Sequence, residues 1–312
     1  MDLPFRIPLA IDVAANVNRF DYFKGNSRLF SLEYRPPYLI KYDNNTRVDV
    51  FTPLTRKSVM KLGFVTGFQT YDYFQVSNFL QNDTADFTSF THSSVHFSIM
   101  SNNHNFNQYA TKGSKNAISV RYVRGVEENI PGSTTALNDI YNVEHSWLQF
   151  NAVSDSYSRL SKHFAMGIYA ELMVTNKSLF RNYSSSILSA PAFTPTPHSN
   201  TLFLNNYRAN SFAALGIKPI ILLTDRLNIR LEAYAFAPFE KILKSEPYDR
   251  VYQPYYSESF AYFHLMGSAG IVYNTPFGPL AFTVNYYDTD SRSTYFMMHF
   301  GYVIFNKRAF DY

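Results

Sequence analysis

Few side chains in this 312-residue chain are spaced for chemistry. A hydrolytic serine sits on a sharp turn, Gly-x-Ser-x-Gly, with a base in hydrogen-bond reach. The glycines spaced four apart are Gly63 and Gly67, with Val65 between them, and no Asp-Gly dipeptide occurs. His198-Ser199-Asn200 has the right groups for a nucleophile, a base and an orienting amide. The three are contiguous and sit among Pro191, Pro195 and Pro197, so no strand holds them in line. His92 and His96 are the closest histidines in sequence. On a strand they share a face but stand about 13 Å apart, too far to share an ion. The chain lacks cysteine, which removes thiolate metal sites and disulfides. The expectation is no catalytic residue, no metal and no cofactor in this chain.

The elements around these residues follow a period of two, and helical periodicity is nearly absent. Leu9, Ile11, Val13, Ala15 and Val17 share one face, opposite Ala10, Asp12, Asn16 and Asn18. Leu227, Ile229, Leu231, Ala233 and Ala235 alternate with Asn228, Arg230, Glu232, Tyr234 and Phe236. Phe164, Met166, Ile168, Ala170, Leu172 and Val174 form another apolar row. Twelve strands are expected, at 5–18, 46–53, 57–68, 92–106, 115–124, 145–158, 163–175, 210–221, 226–236, 259–274, 279–287 and 294–305. Short turns (54–56, 107–114, 159–162, 222–225, 275–278) alternate with longer loops (19–45, 69–91, 125–144, 176–209, 237–258), except that the final hairpin, 288–293, is short on the long-loop side. A soluble sandwich has no reason to sort its loops by parity, whereas an outer-membrane barrel has short periplasmic turns and long outer loops.

Physics supports the barrel. No run approaches the ~20 apolar residues that a membrane helix needs, although 46% of the chain is hydrophobic. In lipid every backbone polar group must be paired, so a spanning sheet closes on itself, apolar rows outward and polar rows to a wet lumen. Asp12, Arg121, Arg230 and Glu232 lie on the lumenal rows. Aromatics make up 18% of the chain and cluster near strand ends, at Phe20, Tyr22 and Phe23, at Phe68, Tyr71, Tyr73 and Phe74, and at Tyr286 and Tyr287, where rings sit at headgroup level. The charges, 28 basic against 24 acidic, are scattered without a basic stripe, which argues against a nucleic-acid partner. The fold class is therefore all-β, an antiparallel transmembrane β-barrel in the outer membrane, one domain over 1–312. Met1-Asp2-Leu3-Pro4-Phe5-Arg6 has no basic region followed by an apolar one, so no export signal is read there.

Particular stretches resemble one family. Tyr273-Asn274-Thr275-Pro276-Phe277-Gly278-Pro279-Leu280, Val284-Asn285-Tyr286-Tyr287-Asp288 and the run from Phe300 to Arg308 are similar to the barrel end of patatin-like phospholipases fused to a BamA/TamA-type (bacterial surface antigen) barrel. Gln108 to Gly113, Pro131 to Thr134, His145 to Phe150 and Asn176 to Pro219 fit it too. The resemblance implies a sixteen-stranded barrel of which about twelve strands are present, so that this chain is an N-terminally truncated fragment. It implies an anchor or translocator for a covalently attached N-terminal phospholipase passenger, with lipopolysaccharide, outer-membrane lipids and the barrel assembly machinery as partners. Any lipid hydrolysis by the parent then lies outside this chain, which lacks the patatin Gly-x-Ser-x-Gly and Asp-Gly motifs. The runner-up is a self-contained twelve-strand porin or transporter. A twelve-stranded outer-membrane phospholipase, whose His-x-Ser-Asn motif His198-Ser199-Asn200 echoes, is a weaker match.

In that family a long sixth outer loop folds into the lumen and carries an Arg-Gly motif paired with a lumenal acid. Tyr207-Arg208-Ala209 lies at the matching place, with Ala209 where the family has glycine, and Glu232 is the acid expected to hold Arg208. Val123-Arg124-Gly125 reads like the motif but ends an early strand. The terminal strand resembles the family's assembly signal, with Gly301, Tyr302 and Phe305 as its anchors.

Overall fold

A computed structural model describes residues 8–22, 39–75, 80, 82–135, 140–246, 253–289 and 293–311. The expected strand residues 5–7, Ile7 among them, and Phe23 lie outside the described residues. The strands are β1 (Ala10–Tyr22), β2 (Leu39–Thr55), β3 (Ser58–Tyr73), β4 (Asp86–Asn102), β5 (Gly113–Ile130), β6 (Tyr141–Arg159), β7 (Phe164–Thr175), β8 (Phe212–Leu222), β9 (Leu227–Pro238), β10 (Ile242–Lys244), β11 (Pro254–Tyr256), β12 (His264–Thr275), β13 (Gly278–Tyr287) and β14 (Thr294–Phe300). The β7–β8 connection holds an α-helix, α1 (Tyr183–Ser189), and two single 3-10 turns, Ser199–Thr201 and Asn205–Tyr207. Twelve strands form one antiparallel sheet in chain order, from β1 through β9 to β12, β13 and β14. The short β10–β11 hairpin stands apart, within the β9–β12 connection.

Each of the twelve expected strands has its counterpart in the sheet; short and long connections alternate over much of the chain, but 103–112 and 131–140 are equally long and 288–293 is short. On the long-loop side β1 to β6 extend four to seven residues beyond the expected ends, whereas β8 and β12 start later than expected, at Phe212 and His264. Strands β2 to β6 run 16 to 19 residues. At ~3.3 Å per residue they reach well past an apolar band about 25 Å tall. Beyond that band the outward face turns polar, at Tyr42 and Asn44 on β2 and at Thr70 and Asp72 on β3, so the apolar rows that mark a strand in sequence fade while the ladder continues.

The burial pattern is inverted relative to a soluble protein. Leu62, Ile118, Ile168, Leu215, Ile217, Leu231 and Phe282 are each more than half exposed. Asp43, Arg47, Asp49, Glu127, Arg121, Lys218 and Arg230 are buried on the opposite faces. Soluble monomers rarely expose contiguous apolar patches beyond a few hundred Å², and almost never bury so many charges. The sheet curls around this charged interior. Close approach is needed where three strands meet: Gly63 sits in register between Asp49 and His96, and a Cβ there would lie 2.0 Å from Asp49 Oδ1.

Two expectations change at the ends of the sheet. Strand β1 pairs only with β2 and β14 only with β13 among the described residues, so the sheet is not closed. Asp12 lies opposite Asp49 on this free edge, where it is exposed. The last strand ends at Phe300, short of the expected residue 305, because Gly301 takes a φ of +87°, which turns the chain away from the ladder. Tyr302 and Phe305 therefore lie in a non-strand tail and stay partly exposed.

Candidate functional site

The site is the filled interior, built by the β7–β8 loop (176–211), the C-terminal tail (301–311) and the polar faces of the strands. Helix α1 begins at Asn182, whose side-chain oxygen accepts from Ser185 N at 2.8 Å. The same side chain donates to Asn129 Oδ1 (3.2 Å) and to Tyr73 Oη, so one residue caps the helix and ties it to β3 and β5. The last carbonyls of a helix lack partners and carry its negative dipole end. Here three buried cations take them. Lys41 Nζ donates to Leu188 O (3.2 Å), Lys177 Nζ to Ser189 O (2.9 Å) and Oγ (2.8 Å), and Arg208 Nη1 to Leu188 O (3.4 Å) and Ala190 O (3.1 Å).

Tyr207, Arg208 and Ala209 are all buried. Phe193 N donates to Tyr207 O (2.9 Å) and Ala209 N to Pro191 O (3.3 Å), with Ala192 and Arg208 forming a β-bridge. Tyr207 Oη donates to Leu265 O and accepts from Asp288 N (2.8 Å). Phe193, Tyr207, Phe212, Tyr234 and Phe236 pack as one aromatic cluster behind it.

The structure does not bring Arg208 to Glu232. Arg208 lies over the Phe203 ring (4.7 Å) and binds the carbonyls above. Glu232 holds Arg230 Nε at 2.7 Å and accepts from Tyr234 Oη at 2.5 Å. Arg230 is two residues away on the same face of β9, which a reading that looked only for a loop-to-wall partner passed over. Nearby, Lys218 Nζ meets Asp155 Oδ1 (2.7 Å) and Tyr157 Oη (2.9 Å). Arg124, the look-alike motif, is exposed and pairs with Glu144 at 3.3 Å.

The tail enters this interior. Asn18 Nδ2 donates to Lys307 O (3.2 Å), Ala309 N to Asp43 Oδ1 (3.1 Å), and Arg47 Nη2 and Arg121 Nη2 both to Asp311 O (3.0 Å each). The Phe310 ring contacts His92 at 4.8 Å and Trp147 at 5.9 Å. Tail and loop leave between them and the wall a cavity of about 430 Å³.

The other chemistry-bearing groups have separate partners. His198 Nδ1 bonds Tyr287 Oη (2.7 Å), while Ser199 Oγ bonds Thr196, so the contiguous triplet is not a relay. His96 meets Asp49 (3.3 Å) and His92 packs on Phe310, each with its own surroundings. Among the described residues no group of three potential metal ligands occurs. A Ser–His–Glu chain that the sequence did not reveal joins the loop root to the wall: His145 Nδ1 to Ser178 Oγ (2.9 Å) and His145 Nε2 to Glu127 Oε2 (2.8 Å). Glu127 Oε1 also accepts from Arg181 N (3.1 Å), so the carboxylate fixes the loop backbone as well. Period-two spacing could have placed Glu127 and His145 on inward faces, but nothing in sequence ties Ser178 to them.

The fold is that of an outer-membrane barrel wall. No family model and no curated protein matches the chain. Among solved structures it is similar to BamA from Haemophilus ducreyi lacking POTRA domains 1–3, with 12% identity and a TM-score of 0.50 over 93% of this chain. It spans 57% of that BamA chain. It also matches the transport unit of the autotransporter AIDA-I from Escherichia coli (11% identity, TM-score 0.37, 94% of this chain and 89% of that one). A third match is the translocator domain of the autotransporter NalP from Neisseria meningitidis (10% identity, TM-score 0.33, 92% and 84%).

Proposed function

We propose that this chain is the wall and plug of an outer-membrane barrel of the BamA/TamA type, acting as anchor or translocator for an N-terminal patatin-like phospholipase passenger. The observation that carries the membrane assignment is the inverted burial: exposed apolar rows outside, charged rows inside, on one continuous antiparallel sheet. The plug follows from the loop and tail that fill the interior. In this reading twelve strands belong to a sixteen-stranded family barrel, and the absent front strands lie between β14 and β1. Arg208 seats the loop through carbonyls at the helix end, the role the motif resemblance gave it with another partner. Gly301, Tyr302 and Phe305 form the stretch read by the barrel assembly machinery, and outer-membrane lipids and lipopolysaccharide contact the outward rows.

Planar-bilayer recordings test this. The chain should give rare, small, flickering openings, and deletion of 302–312 should raise both their size and their frequency. Large steady channels from the unmodified chain would make it a self-contained porin instead. Partition into the aqueous phase without detergent would defeat both readings.

A further inference from the structure

Charges that are scattered along the sequence are sorted by the fold. Connections β2–β3, β4–β5, β6–β7, β8–β9 and β12–β13 all lie at one end of the sheet. Register keeps them level: Ser58 lies opposite Ser101, Gly113 opposite Tyr157, Phe164 opposite Ile221 and Leu227 opposite Tyr273. Successive turns therefore stand two strand spacings, about 10 Å, apart around this rim. Over residues 53–58, 102–115, 158–164, 222–227 and 275–278 the charges are Arg56, Lys57, Lys112, Lys115, Arg159, Lys162 and Arg226 against Asp225 alone, all exposed. The whole chain carries +4, so the rest of the molecule is net acidic. Asp225 is already engaged by Arg159 at 3.3 Å, and Lys115 lines the interior cavity. The side chains of Arg56, Lys57, Lys112, Lys162 and Arg226 make no hydrogen bond or ion pair among the described residues. Towards the opposite rim the exposed charges are mixed: Glu144, Glu240, Glu246 and Glu258 stand with Arg19, Arg124, Arg181 and Lys244, and Arg124 pairs with Glu144. The basic turns also present apolar side chains, since Leu54, Leu160, Leu223 and Phe277 are each nearly half exposed or more. An acidic protein face would satisfy the cations and leave the leucines without a partner. A bilayer margin satisfies both: a Lys or Arg stem lies along apolar surface with its head at a phosphate, while the leucine enters the acyl edge. Neighbouring turns lie about one Debye length apart, so they act together on a charged surface.

We propose that this rim docks on anionic phospholipid headgroups, with Arg56, Lys57, Lys112, Lys162 and Arg226 at the phosphates and Leu54, Leu160, Leu223 and Phe277 in the acyl margin. The inference rests on the membrane reading above, in which the short turns face the periplasm. It names the lipid class for one leaflet, a phosphodiester with a net negative headgroup, for which phosphatidylglycerol is the probe.

The lipids at this rim can be read with a tryptophan reporter, because Trp147, the chain's single tryptophan, is buried and adds a constant background. The full chain is refolded into vesicles as Leu160→Trp, a reporter on the basic rim, and separately as Leu265→Trp, an exposed position at the long-loop end of β12. Each is quenched with brominated phosphatidylcholine or brominated phosphatidylglycerol at equal mole fraction. At position 160 phosphatidylglycerol should associate roughly fivefold more strongly than phosphatidylcholine, the weight of one Lys or Arg at an anionic surface. That preference should fall as salt rises. It should disappear when Arg56→Gln, Lys57→Gln, Lys162→Gln and Arg226→Gln are combined, since these side chains hold nothing else in the fold. The reporter at position 265 should show no preference. Equal quenching by the two lipids at position 160, the same preference at position 265, or a preference that survives the combined variant overturns the proposal. The two failures are distinguishable. Quenching by both lipids alike leaves the chain in the bilayer and removes only the lipid preference, whereas no quenching of either reporter by any brominated lipid removes the membrane reading as well.

Discussion

Arg230 and Glu232 show how a lumenal charge is kept. Both are buried, and the 2.7 Å contact between them is reinforced by Tyr234 Oη on the carboxylate. Replacing Glu232 by Gln strips the counter-charge from Arg230 and weakens the field on Lys218. The expected loss is about 3–5 kcal/mol in urea unfolding from lipid vesicles. A double-mutant cycle should give a coupling of at least about 1 kcal/mol for Arg230 with Glu232 and near-additivity for Arg208 with Glu232. Strong coupling in the second cycle would restore the loop-to-acid pair expected from sequence. Lys177 in the loop yields a pH prediction. Burial, with Lys41 adding repulsion, lowers its pKa from 10.5 to about 7. Below pH 7 folded and unfolded chains both carry the proton, and the burial cost is fully present. Between pH 7 and 10.5 the unfolded chain holds more protons, so the docked loop gains stability as pH rises. Protection of the 176–211 loop from protease should increase over that interval, and Lys177→Met should reduce the rise, Lys41 at Leu188 O contributing the rest. At this scale the sequence was partly legible. It placed Arg208 in a buried loop motif and Glu232 on the inward row, but alternation says which face a side chain takes and nothing about which neighbour it meets across the interior.

Strands were more legible than what fills them. The strands show apolar rows at period two, because every second residue of a spanning strand faces lipid. Helix α1, Tyr-Ser-Ser-Ser-Ile-Leu-Ser, has no such mark. Its serines disfavour helix interiors, and the cap at Asn182 and the cations at its other end hold it in place. The tail was equally hidden: residues 301–305 continue the aromatic alternation of β14, and the positive φ at Gly301 takes the chain off the ladder, so that Lys307 to Asp311 reach the interior. Gly301→Val would oppose that φ. The expected outcome is a longer β14, an emptied interior and larger channel openings in bilayers. At the loop root, His145→Ala leaves Glu127 without its imidazole and Ser178 without its partner. Protease cleavage within 176–211 should speed up, with the sheet's circular-dichroism signal unchanged.

For the molecule as a whole, the outward rows decide the solvent. Ile217 is 58% exposed on a strand whose partners also present apolar side chains outward. Ile217→Arg should cost about 2–4 kcal/mol in vesicles if the residue lies near the bilayer midplane, and almost nothing if water surrounds it. The same inside-out arrangement shapes how the interior can be acquired. The sheet can zip hairpin by hairpin, since its neighbours are neighbours in sequence. The filling cannot. Asn182 reaches back 109 residues to Tyr73, and the tail reaches back 289 from Lys307 to Asn18. Contacts that far apart in sequence form slowly, because their chain entropy is lost before they repay it. Refolding into vesicles should therefore run in two kinetic stages, an early one in which the ladder appears and a later one, reported by Trp147, in which the barrel acquires its contents.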